Sequence, residues 1–387
     1  MPAVKRIGLI CFLLLVAGCN SSCNRTRGQE KRALSNPVVA TTSGGAAADP
    51  ALAGSTKRAR QPSIRSSRSG TGWLRTEKNK ILTEDGNRFH GRGANIFDTR
   101  QCGSCGWAPP RVGEVVRRVD ELVDNWHANF LRLPLTSFSK PEEKGISLVQ
   151  WGDVTQDESY FEHVKAIVDH IGSKPGVYVL VSLFKHPALD AHGLPTGAAT
   201  PVYKKLAEAF RDSPHVLFGV SNEPHDTTND AVWTAMNQAV QVFRDSEPAS
   251  GPHHLVAVQG TQDYARSLDY YLGRRIQAGD GKNVIYETHV YNHTFEWQSL
   301  FISPSSFLPM IIGEYGPATG YMTLEDSKGL MVKAEELEVP YIAWSFSPEC
   351  VPGLLATADN PTDCGEGLPL VPSEWGKLLK ERLTKAW

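Results

Sequence analysis

The sequence predicts an α/β protein, a (β/α)8 TIM barrel with a small N-terminal β-hairpin, preceded by a signal peptide and a disordered linker, and three observations carry that prediction. Eight short apolar runs alternate with longer segments of helical periodicity, the pattern of parallel strands joined by helices. The runs are near-continuous Val, Ile and Leu, as strands covered on both faces must be. Two of them, Val216-Leu217-Phe218-Gly219-Val220-Ser221-Asn222-Glu223 and Met310-Ile311-Ile312-Gly313-Glu314, end on a glutamate. The carboxyl ends of the strands are where such a barrel gathers its chemistry.

The chain has 387 residues, enough for one barrel of about 250 residues with appendages. Residues 1–18 read as an export signal, with Lys5-Arg6 ahead of a short apolar stretch and a small-residue ending. That stretch is too short to span a membrane as a helix. Val16-Ala17-Gly18-Cys19 resembles the lipobox of bacterial lipoproteins, which implies lipid acylation of Cys19 and a place in the cell envelope. The alternative is an ordinary cleaved signal and a secreted protein. Residues 19–70, rich in Ser, Ala, Gly and Arg, read as a flexible basic tether. The catalytic domain is expected over residues 71–387.

Trp73 to Asn87 reads as two short strands with an Asp85-Gly86 turn, a hairpin closing the barrel floor. The eight barrel strands are expected at 89–96, 130–133, 178–184, 216–221, 255–259, 284–288, 310–313 and 341–345. Helices are expected at 112–127, 160–171, 202–210, 231–245, 324–337 and 373–383, with weaker helical signals after the fifth and sixth strands. Neither a second domain nor a repeat of 20 to 50 residues follows from the pattern.

Formal net charge is -2, yet residues 20–70 carry nine Lys and Arg against Glu30 and Asp49, so the barrel is acidic. Nucleic-acid binding is dominated by Lys and Arg neutralising phosphates, and an acidic body argues against it. Neutral sugar polymers remain compatible. In an oxidising compartment Cys102, Cys105, Cys350 and Cys364 are expected to form disulfides. The simplest pairing is Cys102 with Cys105 and Cys350 with Cys364, and cross-bridging is also open.

Two carboxyl groups converging at a barrel mouth suit glycosidic bond hydrolysis, which needs one acid to protonate the leaving oxygen and one carboxylate to attack or to activate water. The ordered set Arg132, Asn222-Glu223-Pro224, His289-Val290-Tyr291, Glu314 and Trp344 resembles glycoside hydrolase family 5, the cellulase-type clan A enzymes, over residues 73–387. The resemblance implies Glu223 as acid/base and Glu314 as nucleophile. It implies Arg132 and Tyr291 as supports of the ionised nucleophile, and Asn222, His289 and Trp344 as substrate-binding groups. The third strand departs from the family pattern: Phe184-Lys185-His186 stands where an Asp-x-His is usual, so either His186 supplies the imidazole or Phe184 replaces it. Trp107, Trp151 and Trp297 are candidate sugar platforms or simple packing residues.

Ser221 lacks the closing glycine of a nucleophile elbow, and no His-x-His ends a strand, so serine and metal hydrolase readings are poor. The resemblance implies a monomeric, retaining, endo-acting hydrolase of β-1,4-linked polysaccharide, of the cellulose type first and the mannan or xyloglucan type next, needing no metal or organic cofactor. The alternative is an inactive glycan-binding lipoprotein of the same fold.

Overall fold

The computed structural model describes residues 70–100, 111–136, 151–348, 350–356 and 367–387. The expected signal, Cys19, the linker up to residue 69, Cys102, Cys105, Trp107 and Cys364 lie outside the described residues.

Strands β1 (Arg75–Glu77) and β2 (Lys80–Leu82) pair antiparallel, with Arg75 opposite Leu82. The reversal between them falls at Lys78-Asn79, where Lys78 adopts φ +56°. Asp85-Gly86 makes a second turn after β2 instead: Gly86, at φ +87°, donates its N–H to Thr83, and Phe89 returns to bond Ile81. Leu74, Ile81 and Phe89 pack with Phe130, Tyr178, Leu217, Ile285 and Ile342 in one buried cluster. Phe130 and Tyr178 begin their strands, so the hairpin seals the amino-terminal end of the barrel.

Eight parallel strands follow: β3 (Arg92–Ala94), β4 (Phe130–Thr136), β5 (Tyr178–Phe184), β6 (Val216–Gly219), β7 (Val256–Gln259), β8 (Val284–Val290), β9 (Met310–Tyr315) and β10 (Tyr341–Ala343). Their order is β3-β10-β9-β8-β7-β6-β5-β4. A parallel bridge between Asn95 and Arg132 closes the circle, helped by bonds from Ile96 N–H to Arg132 and from Asn129 N–H to Arg92. The protein is thus a (β/α)8 barrel.

Among the described residues six longer helices cover it: α1 (Val112–Asp120), which runs on into a π turn at Glu121–Asn125, α2 (Glu158–Gly172), α3 (Ala199–Ala209), α4 (Asn229–Ser246), α7 (Leu324–Glu336) and α8 (Glu374–Leu383). Side chains of Asp157, Thr228, Thr323 and Ser373 cap the starts of α2, α4, α7 and α8 by accepting orphan backbone N–H groups, which places the first turns of α2 and α4 ahead of the apolar periodicity. After β7 and β8 only short pieces form, including α5 (Asp269–Gly273) and α6 (Ser303–Ser305), where glycines and Pro304 interrupt the chain. Among the described residues no helix is long and apolar enough to cross a membrane.

Four strands are shorter than expected, among them β7, which begins at Val256 instead of Leu255. β3 gives up Phe89 to the floor cluster, β6 ends at Gly219, and β10 ends at Ala343. Gly219 must stay bare, because a Cβ there would sit 2.4 Å from the Ser182 Cβ.

Candidate active site

Arg132 stands inward on β4 with no exposure to solvent, and it organises one side of the site. Its Nη1 donates to Glu314 Oε1 at 2.7 Å and to Asn95 Oδ1 at 2.9 Å, while its Nη2 donates to Asn222 Oδ1 at 2.7 Å. Asn95 in turn donates to the carbonyls of Gly313 and Ala343, tying the first strand to the last two. A guanidinium fork of fixed geometry is suited to holding several acceptors at once.

Glu314 lies within β9, and its second oxygen, Oε2, accepts from the Tyr291 hydroxyl at 3.1 Å. Glu223 lies beyond the end of β6, where the backbone takes φ +49°. That left-handed conformation is strained for a residue with a side chain, and such residues persist where the surroundings fix them. Here the Gln259 amide oxygen accepts the Glu223 N–H at 3.2 Å. The turned backbone aims the Glu223 carboxyl at His289, whose Nδ1 is 2.8 Å from Oε1.

β8 presents Glu287 and His289 inward, and Tyr291, just past the strand's end, continues the same two-residue spacing. His289 Nε2 is 3.2 Å from Glu287 Oε1, and His289 Nδ1 is also 3.7 Å from Glu314 Oε2. Glu287 is fully buried, accepts from Gln259 Nε2 at 2.6 Å, and forms an ion pair with Arg132 Nε at 3.1 Å. Glu287, Gln259 and Asn95 were not singled out from sequence. The available signal was period two: extending the His-x-Tyr spacing back by one step reaches Glu287.

One side-chain atom from each of Glu223, His289 and Glu314 lies within 4.8 Å of the others, so the two carboxylates share one small space. Burial works against a charge on His289, but Glu314, Glu223 and Glu287 outweigh it and raise the ring to about 10. Burial also raises Glu314, to about 7; His289 and Arg132 pull it down, while Glu223 and Glu287 push it up. The ionising help expected from Arg132 is present but outweighed. Glu287 is also pushed up by burial, yet Arg132 and His289 bring it below the ordinary carboxylate range. The Glu223 side chain is 17% exposed against 5% for Glu314, which makes Glu223 the better placed to exchange protons with water.

Trp344 follows β10 and packs with Phe97, Phe184 and Cys350, with Tyr291 against the same cluster. Phe184, not His186, contacts the indole, at 5.8 Å between ring centres. His186 instead accepts from the Ala188 N–H and lies 3.9 Å from Asp153, and burial lowers it to about 4, so it is neutral. Trp297 is buried, packs on Phe301 and donates to the Asn292 carbonyl, a packing residue and not a platform. Trp151 is half-buried, with the Arg100 guanidinium 5.5 Å from its ring centre. Cys350 is disulfide-bonded.

A family model described as cellulase (glycosyl hydrolase family 5) matches residues 82–349. The chain is 22% identical over 304 residues to a mannan endo-1,4-beta-mannosidase of Streptomyces lividans, covering 74% of this chain and 69% of the relative. It is 22% identical to endoglucanase CelA of Streptomyces lividans over 303 residues, covering 72% of this chain and 58% of that one. Among solved structures, Cellulase Cel5C_n superposes with a TM-score of 0.64 at 18% identity, covering 82% of this chain and 94% of the other. The catalytic domain of Thermobifida fusca endoglucanase Cel5A, in complex with cellotetraose, gives a TM-score of 0.64 at 16% identity, covering 81% and 98%.

Proposed function

Because the chain belongs to glycosyl hydrolase family 5, we propose that it is a retaining, endo-acting hydrolase of β-1,4-linked polysaccharide, with a β-glucan of the cellulose type as substrate. The observation that supports it most is the approach of Glu223 and Glu314 to within 4.8 Å. Retaining enzymes hold their two carboxyl groups about 5–5.5 Å apart, whereas inverting enzymes need room for a water between them.

In this reading a Glu314 oxygen attacks the anomeric carbon as the glycosidic C–O bond breaks, and Glu223 gives its proton to the leaving oxygen. Glu314 is then esterified to the sugar. A water next gives its proton to Glu223 while its oxygen displaces Glu314, restoring both groups. Arg132 and Tyr291 hold Glu314 in line for attack. The Asn222 oxygen is taken by Arg132, which leaves its amide N–H groups to donate to the sugar. Trp344 offers its ring as the floor under the cleaved unit.

Every group in this scheme comes from one chain, and the reading takes the enzyme as a monomer. It also takes the barrel, residues 71–387, as exported behind the signal of residues 1–18 and tethered through an acylated Cys19. The chain spans 69% of the mannosidase and 58% of the endoglucanase it resembles, and mannan is the second substrate reading because one of those relatives is a mannosidase. Incubation with cellulose, mixed-linkage glucan, mannan and xyloglucan, with chromatography of the products, separates them. Proton NMR of the first product should show the β-anomer. An α-anomer at first appearance removes the retaining mechanism, and no product from any polymer favours an inert glycan-binding protein.

A further inference from the structure

Glu287 has no task in the reaction above, yet it is wholly buried at the centre of the reacting cluster. Withdrawing a carboxylate from water costs several kcal/mol unless charge and hydrogen bonds offset it. Here the offsets are specific: Gln259 donates to Oε2, while Arg132 Nε and His289 Nε2 both face Oε1. Gly313 on the adjacent strand makes room for this side chain.

The groups facing His289 are Glu287 from its own strand, Glu223 from the end of β6 and Glu314 from β9. Arg132 on β4 and Tyr291 complete the titratable set around these carboxylates. Each ring nitrogen of His289 therefore meets a carboxyl oxygen, and when both carboxyls are ionised the arrangement is fully satisfied only with a proton on each nitrogen. The charge count agrees. With Glu223 protonated and Glu314 ionised, the cations Arg132 and His289 are balanced by Glu314 and Glu287. A neutral group at position 287 would strand a positive charge in the interior.

We propose that Glu287 is a positioning residue, the buried counter-charge that holds His289 as an imidazolium with its Nδ1–H aimed at Glu223. The acid/base then gives and receives its proton from one fixed orientation. This rests on the reading of Glu223 as acid/base, but the first measurement below does not depend on turnover.

Nitrogen NMR of His289 in the wild-type protein, without substrate, should show an imidazolium from about pH 6 to 8.5, although a free histidine titrates near 6.5. A neutral ring at pH 7 overturns the proposal, whichever polymer is cleaved. Glu287→Gln keeps the shape and removes the charge. It should lower kcat/KM roughly 10- to 100-fold through kcat, with KM little changed, because a hydrogen bond to a charged group is lost. In that variant His289 should lose its proton between about pH 6 and 8, with activity following. A Glu287→Gln protein that melts earlier but keeps the wild-type kcat and pH profile has lost only structure, and that result also overturns the proposal. If this variant does not fold, the wild-type titration decides. If no polymer is cleaved, the proposed reaction fails while the His289 titration still reports on Glu287.

Discussion

Gly313 and Glu287 occupy neighbouring strands so closely that a Cβ on Gly313 would lie 1.9 Å from Glu287 Oε1. The glycine one residue before the Glu314 carboxylate is thus the cavity that accommodates a second, buried carboxylate.

Gly313→Ala is expected to destabilise the protein by about 2 kcal/mol or more and to reduce activity with it, since the displaced carboxylate sits among fixed partners. Gly113→Ala is the control. It lies in the first turn of α1, where an added Cβ meets nothing within 4 Å, and it should be neutral or stabilise by about 0.5 kcal/mol. Denaturant melts and specific activities of both variants check the contrast.

Glu314→Gln should lower kcat roughly 10³-fold or more while leaving the fold intact, because the nucleophile is gone and the amide can still bond Arg132 and Tyr291. On an aryl β-glycoside whose phenolate leaves without protonation, Glu223→Ala should regain turnover when azide is added, the azide displacing Glu314 from the glycosyl-enzyme to give a β-glycosyl azide. Hydrolysis by Glu314→Gln at the wild-type rate would remove this assignment of roles.

The rate should fall on the alkaline side of about pH 7. Burial raises Glu314 to about 7, and because Glu223 is one of the charges acting on it, that step belongs to the pair. Below the step the pair holds one proton, the state in which one carboxyl can act as acid and the other as nucleophile. Above it both groups are ionised and the leaving oxygen has no acid. A second, acidic limb follows where both are protonated. Initial rates across buffers of constant ionic strength test this, and a profile level from about pH 6 to 9 contradicts it.

His289 should make the protein less stable in alkali. Its folded value, about 10, is above the free value, so its contribution is complete below about 6.5 and disappears as pH rises through 10. His289→Gln should flatten the dependence of Tm on pH in that window. An unchanged slope would mean that the imidazolium is not what the folded state favours.

Chelation should leave activity unchanged. Glu223, His289 and Glu314 offer donor atoms at metal-binding distances, but both nitrogens of His289 are engaged by carboxylates and carry protons, so no lone pair remains for a cation. Activity that is lost in EDTA and restored by a divalent ion would show a different chemistry.

Much of this was legible in the sequence because burial on both faces forces continuous apolar runs, and a carboxylate at the end of such a run is conspicuous. Glu223 and Glu314 stand out for that reason. Glu287 does not: it sits inside Val284-Ile285-Tyr286-Glu287-Thr288, where a charge reads as an interruption, and its partners Arg132 and Gln259 come from other strands. Gln259 and Asn95 are polar residues whose burial depends on partners far along the chain. The Lys78-Asn79 reversal was missed because Lys78 at positive φ has no local signature, whereas Asp85-Gly86 advertises a turn it makes elsewhere.

The left-handed backbone of Glu223 sets two selective pressures against each other. Glycine would relax that residue by about 1 kcal/mol while deleting the group that moves the proton. A screen scored on heat tolerance alone weighs the relaxed backbone against the lost His289 contact and never registers the lost proton transfer. Libraries built for thermal improvement need a turnover readout at this codon.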